Sequence, residues 1–192
     1  MIDPDTIVVV SGLPRSGTSM MMQMLEAGGM EVMTDGLRAA DEDNLRGYFE
    51  YETVKVLDTD RSWLPEARGK AVKIISELLK YLPETQRYRI IFLRRALEEV
   101  LASQDRMLVR RGVQPGGPAE NAEIARVFRK HLQQTEAWLS GRPAFRTLYV
   151  HHRRILADPA REAARVNAFL DNRLDEAAMA ASVDTSLYRQ RG

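Results

Sequence analysis

A chain of 192 residues with 28 basic and 27 acidic side chains has a formal net charge of +1. Charges that nearly cancel exclude a global field for nucleic acid or an anionic membrane, so any anion site must be local. The chain has no cysteine, which excludes a disulfide framework and thiol chemistry. The length fits one domain over residues 1–192 with a sizeable core, and no internal repeat is visible.

Met1–Asp5 lacks a basic region, and the apolar run behind it is short, so it does not read as a signal peptide. No stretch is long and apolar enough to span a bilayer. The expectation is a soluble, cytoplasmic protein without stable membrane insertion and without a nucleic-acid partner.

Ile7-Val-Val-Val10 is an unbroken β-branched run, too short for a helix, and predicts a strand buried on both faces of a parallel sheet. Ser11–Gly17 is a turn rich in Gly, Pro and Ser. Good helix formers then run from Thr18 to Glu26, and Gly28 and Gly29 stop them. Strand, glycine turn and helix together form a phosphate-binding arrangement. Loop amides and the helix N-terminus supply N–H groups and a partial positive charge. Gly12 and Gly17 have the spacing of a P-loop, but Thr18 stands where a P-loop has lysine, and the basic residue, Arg15, lies inside the loop. Met20, Met21, Met22 and Met24 are read as adaptable core filler.

Met30–Thr34 is expected as a short strand. Asp35–Tyr48 is a polar loop leading into a helix at about Phe49–Asp60; its acids read as solvated and not as metal ligands. Lys70–Ile75 predicts a strand, Ser76–Tyr81 a helical turn, and Arg89–Leu93 a buried strand. A helix follows at Leu97–Arg111. Gly112–Pro118 is a flexible loop and a candidate lid over an acceptor. Glu120–Leu139 is an amphipathic helix with Ile124, Val127, Phe128, Leu132 and Trp138 on its inner face. A strand at Phe145–Val150 and a helix at Pro159–Leu170 complete the pattern. Strands alternating with helices imply a P-loop-like three-layer α/β/α fold around a parallel sheet of about four to five strands.

Pro14-Arg15-Ser16-Gly17-Thr18-Ser19 resembles the 5′-phosphosulfate loop of sulfotransferases that use 3′-phosphoadenosine 5′-phosphosulfate (PAPS). In that family a strand-terminal arginine and a serine eight residues later contact the 3′-phosphate. Arg95 and Ser103 have this spacing, with Arg94 the adjacent alternative, although Ala96-Leu97 replaces the family's usual Asp/Asn-Pro. Leu148–Pro159 and Val166–Leu170 are similar to the family's late strand, Asp-Pro and Phe-Leu helix, with His152 in place of the usual Tyr. The tail resembles the basic tail of bacterial members, which implies a nucleotide contact from Arg189 and Arg191.

The resemblance implies sulfuryl transfer from PAPS to a hydroxyl or amine without a metal. Pro14 to Ser19 would hold the phosphosulfate, and Arg15 would stabilise the leaving oxygen. For the general base, Glu50 stands first among Tyr48, Phe49 and Tyr51, where partial burial could raise its pKa. Glu52 is close behind. Asp35 lies about where glutamate acts in the protein-tyrosine branch, and His151 and His152 are weaker contenders. The alternatives are a non-catalytic protein that binds PAPS or its product, and a P-loop small-molecule kinase. The acceptor, whether carbohydrate, lipid, peptide or phenol, and the oligomeric state are not readable from the residues.

Overall fold

A computed structural model describes residues 4–36 and 49–184. Its centre is a four-stranded, wholly parallel sheet in the order β2-β1-β3-β4, with helices on both faces. The strands are β1 (Thr6–Gly12), β2 (Ala71–Lys73), β3 (Arg87–Arg94) and β4 (Phe145–His151). Every residue of β1 is buried. Its side chains alternate between two cores: Ile7 and Val9 join Val72, Ile90 and Phe92 on one face, and Val8 and Val10 join Ile91, Leu93 and Val150 on the other. An apolar run without polar interruption is what a strand covered on both faces requires.

The second face is covered by α1 (Thr18–Ala27), α5 (Pro159–Phe169) and α6 (Glu176–Ala181). Met21, Met22 and Met24 are fully buried there, as core filler. Short 3₁₀ segments and the end of α3 (Pro118–Leu139) cover the first face, while α2 (Leu97–Arg110) leads out of β3 towards α3. A short α4 (His152–Ala157) follows β4 directly. The Asp-Pro pair seen in the sequence has a structural role: Asp158 caps α5 by accepting from the Arg161 amide at 3.0 Å, and Pro159 occupies the first turn, where its missing N–H is harmless.

Three expectations change. Met30–Thr34 forms no strand; only Val32 bridges to Ala71. The helix expected at Phe49–Asp60 is a 3₁₀ turn over Glu52–Val56, and Phe49 has a left-handed backbone (φ 50°), which no helix continues. Val127 is exposed, and the buried residues of α3 are Thr135 and Leu139, because α3 meets the rest of the molecule through its last turns. All of the polar loop after Gly36, that is residues 37–48 with Tyr48, and the tail arginines Arg189 and Arg191 lie outside the described residues. No helix among the described residues is long and apolar enough to cross a membrane.

Replacing Asp158 by Ala is expected to lower stability by about 1 kcal/mol through loss of the α5 cap. Chemical denaturation at constant slope checks this.

Candidate functional site

In an open α/β sheet, ligands meet the carboxyl ends of the strands where the strand order reverses. Here the chain leaves β1 towards β2 on one side and returns to β3 on the other, so that point falls between β1 and β3. The register sets Gly12 against Leu93, and Leu93 against Val150. The turn after β1, the arginines ending β3 and the histidines ending β4 therefore lie level with one another.

The turn is held by backbone. Ser16 N–H donates to the Leu13 carbonyl at 3.1 Å, and Arg15 and Gly17 both have positive φ (69° and 101°). Gly12 must be glycine: a Cβ there would lie 2.6 Å from Ser16 Oγ and 2.7 Å from the Leu93 carbonyl oxygen. Ser16 is buried, and its hydroxyl finds no hydrogen-bond partner among the described residues. Gly17 precedes α1 with no side-chain cap and no acid in the first turn, which leaves the helix end suited to an anion.

Arg15, Arg95 and Ser103 meet. Arg95 Nη1 donates to the Arg15 carbonyl at 3.0 Å, and Arg15 Nε donates to Ser103 Oγ at 3.0 Å. Arg94 and Arg95 diverge. Arg94 forms a two-point pair with Glu136 of α3 at 2.9 and 2.6 Å and stacks on Tyr149, with 4.1 Å to the ring centre. Arg95 is the one beside the turn. Its Nε donates to the buried carboxylate of Glu99 at 3.0 Å.

A cavity of about 460 Å³ opens over this turn. Pro14, Arg15, Gly17, Thr18 and Ser19 line it together with Arg95 and Ser103. So do Glu50, Met20, Met107 and Phe128. Lys73, at the end of β2, is a lining residue that the sequence reading passed over; a lone lysine ending the strand beside the glycine turn was the available signal. Arg15, Lys73 and Arg95 against Glu50 make the cavity locally cationic in a nearly neutral chain. A second cavity of about 380 Å³ shares Arg95 and reaches Arg94, His151 and Arg153.

The candidate bases separate. Glu50 lines the main cavity. Asp35 does not: its carboxylate accepts from the Glu52 amide at 2.5 Å and so holds the start of the 3₁₀ turn. Glu52 pairs with Lys55 at 2.6 Å on the exposed side. His151 lines the second cavity, and its pKa is lowered by burial and by Arg154 and Arg94. His152 is buried under the turn, where a Cβ on Gly17 would come within 2.7 Å of its ring. Burial first, then the neighbouring Arg95, push its pKa from the ordinary 6.5 to about 4, so the imidazole is neutral at pH 7. The segment 112–118 lies at a further cavity between α2 and α3, which shares only Gln104 with the main one.

No family model matches the chain, and no curated protein does either. Among solved structures it is similar to an unliganded sugar kinase from Janibacter sp. HTCC2649, at 15% identity and a TM-score of 0.42, over 89% of this chain and 96% of that one. So distant a likeness assigns neither ancestry nor activity.

The unfolded chain takes up a proton on its histidines near pH 6.5, while folded His152 does so only near 4. Its contribution to stability is therefore complete above pH 6.5 and is lost as pH falls from about 6.5 to about 4. His152→Phe is expected to flatten the stability profile across that window, as followed by urea denaturation at stepped pH.

Proposed function

We propose that the chain is a transferase, specifically a sulfotransferase that moves a sulfuryl group from PAPS to an acceptor hydroxyl or amine. The observation that carries this reading is the meeting of Arg15, Arg95 and Ser103 at one turn, although they come from β1's loop, β3's end and the body of α2. A nucleotide with phosphates at its 5′ and 3′ positions needs two anion cradles a short distance apart. The α1 end with the 14–19 turn supplies one, and Arg95 with Ser103 supplies the other. The open helix end, the buried Ser16 hydroxyl and the close packing at Gly12 fit a phosphosulfate bound through backbone amides.

The residues divide the work as follows. The amides of the turn bind and orient the phosphosulfate. Arg15 and Lys73, both on the cavity wall, place positive charge where negative charge develops, which is the largest catalytic contribution available to such a site. In the transfer, the acceptor oxygen bonds to sulfur as the bridging S–O bond breaks, and the electron pair leaves with the nucleotide phosphate. The proton of the acceptor passes to a base, for which we assign Glu50 because its side chain lines the cavity. Arg95 grips the 3′-phosphate with a planar, permanently charged fork. The Met20, Met107 and Phe128 wall excludes water around the acceptor.

Titration with adenosine 3′,5′-bisphosphate (PAP) and with ATP plus Mg²⁺ tests the donor. PAP is expected to bind more tightly, whereas a preference for ATP would turn the assignment to a P-loop kinase. With PAPS and a panel of acceptors, Arg15→Ala is expected to lower turnover by roughly 10²–10³-fold. Glu50→Gln is expected to lower it by at least about 10²-fold, and Asp35→Asn far less. PAP binding without turnover on any acceptor would indicate a non-catalytic nucleotide-binding protein.

A further inference from the structure

Arg95, Glu99 and Ser103 follow one another at four-residue intervals, so they lie along one face of α2 and the turn that leads into it. Arg95 and Ser103 already have a place at the candidate nucleotide site; Glu99, between them, has none. A carboxylate among anion-binding groups is a puzzle in electrostatic terms, since it repels the ligand that the arginine attracts.

The geometry resolves it. The side chain of Glu99 is 9% exposed. One oxygen, Oε2, accepts from Arg95 Nε at 3.0 Å, and the other, Oε1, accepts from Arg153 Nε at 2.5 Å. Arg153 belongs to α4, so the carboxylate is fixed from two elements and its rotamer is set. Arg95 is then held at two points, by Glu99 through Nε and by the Arg15 carbonyl through Nη1. No acceptor for its Nη2 is found among the described residues, and Arg95 lines both cavities. Arg95 and Arg153 thus share one carboxylate.

We propose that Glu99 is a positioning residue: it orients the Arg95 guanidinium so that the remaining nitrogen, Nη2, is presented to the 3′-phosphate. This rests on the sulfotransferase reading, which supplies that phosphate. Orientation prepared in advance removes the cost of ordering a long side chain when the ligand arrives, and here it outweighs the repulsion from the carboxylate.

The two effects have opposite signs, which makes the test sharp. Affinities for PAP and for adenosine 5′-monophosphate (AMP), which lacks the 3′-phosphate, are compared by calorimetry in the full chain. Glu99→Gln is expected to weaken PAP by about tenfold or more while leaving AMP unchanged, and to have no further effect on PAP in an Arg95→Ala background. Glu99→Asp keeps the charge but retracts the oxygens, and it is expected to show the same selective loss. If either single variant binds PAP as well as or better than the original chain, the positioning role is wrong. Equal losses for PAP and AMP, or a loss that persists without Arg95, would also overturn it, because Glu99 would then support the fold as a whole. Failure of the underlying reading looks different: the unsubstituted chain would show no preference for PAP over AMP, and Arg95→Ala would change neither affinity, which removes both proposals together.

Discussion

The site depends on one close approach. Where β1 ends, Gly12 lies so near the Leu93 carbonyl of β3 that a methyl group would not fit. That contact lets the chain turn sharply out of the sheet while the strands remain paired to their last residues. The parallel register does the rest. Strand ends that are level in the sheet send their following segments into the same space, so the turn, Arg95 and His152 converge although more than a hundred residues separate the first from the last.

Charge is then arranged locally. The chain as a whole is almost neutral, yet the cavity over the turn gathers Arg15, Lys73 and Arg95. A buried guanidinium is costly without a partner, and Glu99 supplies it for Arg95. Arg94 finds its partner in Glu136 and a face in Tyr149, which ties β3 and β4 to α3. Two neighbouring arginines thus have different surroundings: one braces the architecture and the other stands beside the glycine turn.

The sequence made much of this readable. β1 and β3 stood out because strands buried on both faces must be apolar throughout, and α2 and α3 because their apolar residues recur at helical spacing. The glycine turn and the Arg95–Ser103 spacing were legible because both are local patterns. The rest depended on partners distant in the chain. Whether Arg94 or Arg95 faces the turn is decided by Glu136 and Glu99, and adjacent positions carry no sign of that choice. Lys73 gained its place only when β2 paired beside β1. Asp35 looked like a contender for chemistry, but its carboxylate is engaged by the Glu52 amide, a bond between segments that sequence pattern does not connect. The 3₁₀ turns replaced an expected helix because Phe49 enters them with a left-handed backbone.

One feature of the helical layer bears on how the molecule moves. α3 is anchored near its end: Thr135 and Leu139 are buried, and His131 meets Ser76 Oγ at 2.8 Å. Nearer the segment that joins α2 to α3, Val109, Val113 and Val127 remain exposed to water. Local opening free energy follows the density of buried contacts, so amide protons of this part are expected to exchange with solvent before those of the sheet. Gln104 borders both the cavity over the glycine turn and the cavity between α2 and α3. A boundary between slowly and quickly exchanging parts is therefore expected to run through the wall of the cavity itself, at Gln104.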